Sequence, residues 1–220
     1  MFTICWSIKG GSGTTVVAAG LAVLLRRSEQ QVVALDLAGD LPAALGVAEP
    51  PGPGVRDWLS AAPDVGVDAL LSLGSVSDGV QVVPTGSGSA SAQPTRWASL
   101  AEGLAEVAAG GVPIVVDCGG PPRPELSEAT SRSIVVVRSC YLALRRAVGV
   151  GEHPATAAVL VREPGRSISG REVERVLGVP VVAEVPYDPA IARAVDAGLL
   201  LARLPASLAR PLGSVLEQVA

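Results

Sequence analysis

The residues best suited to chemistry lie near the N-terminus, in the glycine-rich segment Lys9-Gly10-Gly11-Ser12-Gly13-Thr14-Thr15. Glycines let the backbone turn so that successive N–H groups point at one anion, and the positive end of a following helix adds to the attraction. Lys9 is the only lysine among the 17 lysine and arginine residues of the chain, and Thr15 offers a hydroxyl able to ligate Mg²⁺. The segment therefore predicts a phosphate-binding loop. Its alternative is an ordinary glycine-rich turn in which Thr14 caps the helix.

The elements around this loop follow a regular alternation along the chain. Short β-branched runs alternate with segments rich in alanine, leucine and arginine, and most of the runs are continuously apolar, as in strands covered by helices on both faces. The pattern predicts one α/β domain over residues 1–220, a doubly wound, mainly parallel seven-stranded sheet flanked by helices, with a flexible loop over 86–94. The predicted strands are 2–8, 32–36, 80–84, 112–117, 133–138, 157–161 and 180–185. The predicted helices are 14–27, 41–46, 54–62, 64–73, 95–109, 125–131, 141–149, 169–177, 188–198 and 205–219.

Composition limits the class of protein. The longest apolar stretch, 16–25, is shorter than the roughly 18–20 residues that a membrane-spanning helix needs. Arginines follow it where a secretory cleavage site would lie, so we expect a cytoplasmic protein. The 3 cysteines and 1 histidine have no ligand-like spacing and predict neither a disulfide framework nor a zinc site. The net charge of −4 argues against binding nucleic acid through the overall field of the protein.

The segment 9–15 resembles the deviant Walker A motif of the ParA/MinD family of P-loop ATPases, whose pattern is Lys-Gly-Gly-x-Gly-Lys-Ser/Thr. Lys9 matches the signature lysine, which in that family reaches across a nucleotide-sandwich dimer to the partner's phosphates. Thr14 stands where the family has its second lysine, so one positive charge is missing. A charge-assisted hydrogen bond contributes roughly 1.5–3 kcal/mol, which predicts a loss of about tenfold to a hundredfold or more in affinity. We expect weak binding of ATP or ADP with Mg²⁺, with Lys9 folded back onto the phosphates of its own subunit.

The segment 32–46 is similar to the first switch of that family, which carries two aspartates one residue apart, ahead of a Leu-Gly pair. Asp36 matches the first aspartate, and Ala38 stands where the second orients the attacking water. Because alanine can neither position nor deprotonate water, the resemblance implies slow or absent hydrolysis. Asp40 is a candidate catalytic residue beside Lys9 if the loop is rearranged, or it caps the helix that begins at residue 41.

The segment 112–120 resembles the Walker B strand and second switch, in which an apolar strand delivers a carboxylate to the Mg²⁺ shell. This implies that Asp117 contacts the metal through water, with Thr15 and Asp36 completing the candidate metal residues.

The segment 177–198 resembles the part of MinD-like proteins that turns over the adenine, and this places Pro186 and Tyr187 beside the base. The family commonly reads the edge of adenine with an asparagine at the end of the preceding strand. Arg162 stands in that region here, and a guanidinium can donate hydrogen bonds but cannot accept them. Arg162, Pro186 and Tyr187 therefore complete the implied nucleotide site.

The resemblance also implies partners. We expect a homodimer, either constitutive or weakly controlled by nucleotide, and a protein partner that the sequence does not identify. The C-terminal segment 204–220 has few basic residues and two prolines, unlike the basic amphipathic helix of MinD-type proteins, so no direct membrane anchor is expected. ParA-type proteins bind DNA non-specifically, and an arginine-rich stretch over 145–175 leaves that alternative open.

Together these features favour a ParA/MinD-like nucleotide-binding protein with impaired hydrolysis. It would act as a positioning or assembly factor for pili or secretion machinery, septa or chromosomes, with the CpaE/TadZ type as the favoured relatives. Two alternatives stay open: an active ATPase in which Lys9 and Asp40 take unusual roles, and a scaffold that binds no nucleotide.

Overall fold

A computed structural model describes residues 1–29, 31–48, 52–88 and 92–217 of the chain. Within these residues eight strands form one sheet. The strands are β1 (Phe2–Trp6), β2 (Val32–Asp36), β3 (Ser75–Ser77), β4 (Val80–Val83), β5 (Ile114–Gly119), β6 (Arg132–Arg138), β7 (Ala157–Arg162) and β8 (Val181–Pro186). The helices of the same residues are α1 (Thr14–Ser28), α2 (Leu41–Leu45), α3 (Val55–Leu59), α4 (Val67–Leu71), α5 (Pro94–Ala109), α6 (Pro124–Ala129), α7 (Tyr141–Val150), α8 (Gly170–Leu177), α9 (Pro189–Asp196) and α10 (Ala206–Glu217).

The strand order in the sheet is β3-β4-β2-β5-β1-β6-β7-β8, and every pairing is parallel except that of β3 with β4. Strand β1 lies between β5 and β6, so the carboxyl ends of these three strands meet at one edge of the sheet. Ligands of open α/β sheets bind at this edge, where the direction of winding changes. The predicted fold class is confirmed, and the loop 9–15 lies at this switch point.

The described sheet has one strand more than the seven predicted. The short segment Ser75–Ser77 pairs with β4 through a turn in which Asp78 and Gly79 have φ angles of 44° and 73°. Positive φ at both central residues is the geometry of a two-residue hairpin, so the Asp-Gly pair was the available signal. The predicted helix over 64–73 is shorter than expected, since α4 ends at Leu71 before this hairpin. Of the predicted loop 86–94, residues 89–91 lie outside the described ranges, and Pro94 already belongs to α5.

Helices cover both faces of the sheet with buried apolar side chains. One face packs against helices α3 to α8, and the three tryptophans Trp6, Trp58 and Trp97 belong to this layer. The other face packs mainly against α1, α2 and α10, with Leu21 and Leu212 among the buried residues. Helix α1 is apolar on most sides because it lies between the sheet and α10. In the described ranges no helix combines the length and apolar character needed to cross a membrane.

The glycine that ends α2 fixes this helix against the turn after α9. Gly46 has a φ of 75°, and a Cβ built on it would lie 1.7 Å from the backbone oxygen of Gly198. We expect Gly46→Ala to lower the free energy of unfolding by about 3 kcal/mol, because a left-handed alanine costs roughly 1–2 kcal/mol and overpacking adds roughly 1–3 kcal/mol. Urea unfolding measures this loss. Gly39→Ala is the matched control, since Gly39 has a φ of 110° but no described heavy atom within 4 Å of its built Cβ. Equal losses in the two variants would contradict the role of the contact with Gly198.

Candidate functional site

The loop between β1 and α1 is open on its outer side. Gly11 and Gly13 have φ angles of 75° and 92°, which glycine adopts without strain. The hydroxyl of Ser12 donates to the backbone oxygen of Lys9 at 2.6 Å and ties the turn together from within. A Cβ built on Gly10 or Gly11 would meet no described heavy atom within 4 Å. The loop therefore leaves room for a ligand against its backbone.

Helix α1 begins without a capping side chain. Gly13 is the N-cap residue and Thr14 is the first residue of the helix, so the hypothesis that Thr14 caps the helix is wrong. The first N–H groups of a helix have no partner within the helix and carry the positive end of its dipole. This end of α1 is available to an anion seated on the loop.

A buried carboxylate lies next to the loop. Asp117, near the end of β5, accepts a hydrogen bond from the N–H of Gly119 at 3.0 Å, and the hydroxyl of Thr15 lies near enough to this carboxyl group to act against the rise of its pKa. Burial, reinforced by the charges of Asp36 and Asp40, raises the pKa of Asp117 to about 6. Its second oxygen, Oδ2, has no hydrogen-bond partner among the described residues. A buried carboxylate oxygen without a donor is the kind of group that a cation or its bound water satisfies.

These residues fit Mg²⁺, which is usually held by one or two carboxylates together with waters and substrate phosphates. Thr15 and Asp117 supply a hydroxyl and a carboxylate beside the loop, where phosphate oxygens would complete the coordination. The described residues contain no group of three or more histidine, cysteine, aspartate or glutamate side chains that could hold a metal ion alone. The site thus suits a metal that arrives with a phosphate ligand.

The carboxylate of Asp36 organises the start of α2. Its Oδ1 accepts hydrogen bonds from the N–H groups of Ala38 and Gly39 at 2.9 and 2.7 Å, and its Oδ2 accepts from Leu41 at 3.2 Å. Burial nevertheless raises the pKa of Asp36 above its usual value. Asp40 occupies the N-cap position of α2 but makes no side-chain cap bond, so the hypothesis that Asp40 caps this helix is wrong. A metal contact of Asp36 stays a prediction, since three backbone amides already engage this carboxylate.

We expect Asp117 to make the metal-free protein more stable at about pH 5 than at about pH 7. Its pKa is about 6 in the folded protein, whereas an unfolded aspartate titrates near pH 4. Between these values the folded state binds more protons, so stability falls as pH rises. Asp117→Asn should remove about 1.3 kcal/mol of the stability difference between about pH 5 and about pH 7, as measured by urea unfolding with a chelator present. An unchanged slope in the variant would contradict the assignment, since Asp36 contributes with the same sign in both proteins.

A cavity of about 310 Å³ connects the phosphate loop with the end of β8. The loop side is formed by Gly11, Ser12 and Gly13, and the far side by Pro186 and Tyr187. Between them the walls are largely apolar, as expected for a site that holds a flat aromatic group. The apolar wall residues are Val16, Val17, Val161, Val185, Ile191, Val195 and Leu208. The structure thus brings together the loop and the two residues predicted to flank a base.

Arg162 does not line this cavity. Its Nη1 donates to the backbone oxygen of Ile168 at 2.9 Å, and its Nε lies 3.7 Å from a carboxylate oxygen of Glu184 on β8. The side chain is therefore held beside the neighbouring strand. Its predicted contact with the edge of a base has no support in this geometry.

Arg138, the last residue of β6, also lies beside the loop, although no sequence motif pointed to it. Its guanidinium donates to the backbone oxygen of Gly11 at 3.2 Å and forms an ion pair with Glu163. Lys9 and Arg138 together line a second cavity, of about 250 Å³, with Glu163 and Arg166. An arginine directly after the apolar run 134–137 was the signal for this residue.

Comparison with known proteins agrees with this geometry. The family model described as the CobQ/CobB/MinD/ParA nucleotide binding domain matches residues 3–201. A ParA family ATPase from Chlorobium tepidum has a TM-score of 0.75 and 20% identity, covering 100% of this chain and 98% of that chain. The septum site-determining protein MinD of Pyrococcus horikoshii, complexed with Mg-ADP, has a TM-score of 0.73 and 20% identity, covering 99% and 94%. The MinC:MinD complex of Aquifex aeolicus gives a TM-score of 0.77 and 16% identity, covering 99% and 95%. No curated protein sequence matches the chain at a significant level.

Proposed function

The chain belongs to the CobQ/CobB/MinD/ParA nucleotide-binding domain family. From this premise we propose that the protein binds Mg-ATP or Mg-ADP, hydrolyses ATP slowly or not at all, and acts as a positioning or assembly factor. One observation carries the proposal. The open loop 9–15 continues into a single cavity that ends at Pro186 and Tyr187, with the Thr15–Asp117 pair beside the loop. A nucleotide has its phosphates, metal and base arranged in this order.

Each part of a nucleotide has a chemically suited neighbour in this site. The backbone N–H groups of the loop and the first turn of α1 would bind the phosphate oxygens. Thr15 and Asp117 would contact Mg²⁺ or its waters, and Pro186 and Tyr187 would flank the base. A Mg-ADP complex of one structural relative, the MinD of Pyrococcus horikoshii, supports this arrangement by likeness of fold.

Slow hydrolysis follows in this proposal from the two substitutions at the reacting end of the site. Thr14 brings no positive charge to the phosphates, and Ala38 cannot orient a water molecule. One observation favours the second candidate, an active ATPase: the charge of Asp40 contributes to the raised pKa of Asp117, so the two carboxylates lie in the same region of the site. Loss of turnover in an Asp40→Asn variant would support that candidate.

The biological setting of the proposal is cytoplasmic. We propose a homodimer that works with a separate protein partner, as a relative is found in the MinC:MinD complex of Aquifex aeolicus. Pilus or secretion machinery of the CpaE/TadZ type is the favoured cargo, ahead of septa and chromosomes. Non-specific DNA binding through Arg145 and Arg146, exposed on α7, is the competing partner, and it would weaken steeply with added salt.

Titration of the purified protein with Mg-ATP and Mg-ADP tests the proposal. Calorimetry should show weak saturable binding, and light scattering on the same samples should show whether the mass doubles. Binding without phosphate release would agree with the proposed loss of hydrolysis. An absence of binding at millimolar Mg-ATP would overturn the proposal and favour the nucleotide-free scaffold.

A further inference from the structure

Arg138 lies where a second cation would reach a ligand on the phosphate loop. It ends β6, the strand next to β1, so its backbone is at the same edge of the sheet as the loop. Its guanidinium hydrogen-bonds to the backbone oxygen of Gly11, and it lines both the cavity that leads to Tyr187 and the smaller cavity that contains Lys9. A positive charge therefore lies beside the loop, although Thr14 contributes none.

We propose that Arg138 is a phosphate-binding residue that supplies, from the end of β6, the charge that Thr14 does not bring to the loop. This inference rests on the proposed function, because it assigns a residue to the same nucleotide site. A guanidinium binds phosphate oxygens through two parallel hydrogen bonds, which suits it to replace the ammonium group of a lysine.

Glu163 holds Arg138 in place before a ligand binds. It begins the segment after β7, where its N–H donates to the hydroxyl of Ser139 at 2.9 Å, and its carboxylate pairs with Arg138. The same carboxylate has a second cationic partner, because Nε of Arg166 lies 3.4 Å from its Oε2. Glu163 consequently keeps a counter-charge when Arg138 turns to a phosphate.

Arg138 can exchange Glu163 for a phosphate group at a low cost in free energy. The side chain of Arg138 is 33% exposed, so it moves from one anion to another without crossing an apolar barrier. The Glu163, Arg138 and Arg166 group carries one net positive charge, and Lys9 adds another at the rim of the same cavity. A polyphosphate would neutralise this excess, so its oxygens compete effectively with the carboxylate of Glu163 for Arg138.

The test compares the binding of Mg-ATP and of Mg-pyrophosphate by calorimetry in the wild-type protein and four variants. Arg138→Gln should lose about tenfold to a hundredfold in affinity for both ligands, because one charge-assisted contact to phosphate is removed. Arg138→Lys should recover part of the loss, and Glu163→Gln should increase affinity severalfold by freeing Arg138. Arg145→Gln removes one exposed positive charge from α7 and should change affinity less than twofold. Circular dichroism and thermal unfolding confirm that each variant is folded.

The outcomes separate this inference from the proposed function. A wild-type protein that binds neither ligand overturns both. A wild-type protein that binds, with unchanged or higher affinity in Arg138→Gln, overturns the inference alone. A loss confined to Mg-ATP also overturns it, since Arg138 would then act on the base or ribose and not on phosphate.

Discussion

Restoring both missing side chains, in the double variant Thr14→Lys with Ala38→Asp, should increase the rate of ATP hydrolysis by about 10²–10⁴-fold. The lysine would bring its charge to the transferring phosphate, and the aspartate would position the attacking water. The position of residue 38 suits this role. A Cβ built on Gly119 would lie 3.0 Å from the Cβ of Ala38, so the side chain of residue 38 is next to the end of β5, near Asp117. Phosphate release at saturating Mg-ATP measures the effect.

The matched control combines Thr14→Lys with Ala38→Asn. Asparagine has nearly the volume of aspartate but no carboxylate, so this protein should bind ATP as tightly as the double variant and hydrolyse it no faster than Thr14→Lys alone. A second control, Asp40→Asn in the wild-type protein, should leave the rate of ATP hydrolysis of that protein unchanged. Tight ATP binding without faster hydrolysis in the double variant would show that the loss of activity does not come from residue 38.

The sheet could be predicted from the sequence because its strands are buried on both faces. Runs such as residues 134–137 are continuously apolar, and the alternation with helices leaves few topologies for the chain. Strand β3 was not predicted, because its three residues are polar at both ends and lie at the edge of the sheet, where burial imposes no apolar pattern. The sequence signal for this strand was the Asp78-Gly79 turn that follows it, and not the hydrophobicity of its own residues.

The proximity of the loop 9–15 and Asp117 is equally understandable from the order of the strands. A loop after β1 and a carboxylate on β5 must be neighbours if these strands pair, and Thr15 accordingly lies near Asp117. Spacing alone favoured Asp40 as the residue that binds the start of α2, since Asp40 lies one residue and Asp36 five residues before Leu41. The choice depends on the loop backbone, whose N–H groups converge on Asp36.

The sequence could not show which of two arginines, Arg138 or Arg162, lies beside the loop 9–15, for a related reason. Arg138 and Arg162 end the neighbouring strands β6 and β7, and either could turn toward the loop. The acidic partner of each arginine determines where its side chain lies. Glu163 pairs with Arg138, which contacts Gly11, whereas Glu184 on β8 pairs with Arg162. Such pairings form between residues far apart in the chain, so they become visible only in the folded structure.

Replacing Lys9 with alanine should lower the affinity for Mg-ATP by about tenfold to a hundredfold, because it removes the only ammonium group of the loop. Lys9→Arg keeps the charge and should lose far less. Contact between Lys9 and a phosphate can be measured directly by chemical labelling, since Lys9 is the only lysine of the chain. An amine-selective acylating reagent will label Lys9 and the N-terminal amine alone, and Mg-ATP should protect Lys9 while the N-terminus serves as the internal standard. Normal affinity in Lys9→Ala, or acylation of Lys9 at an unchanged rate, would contradict a phosphate contact.

The same measurement shows which subunit Lys9 serves. If Lys9 folds back onto the phosphates of its own subunit, protection by saturating Mg-ATP will not depend on protein concentration. If it reaches across a dimer, protection will appear only at concentrations where the mass doubles, and dilution will restore acylation while nucleotide remains bound. Because Lys9 lines the same cavity as Arg138, which contacts Gly11 within the same subunit, we expect the concentration-independent result.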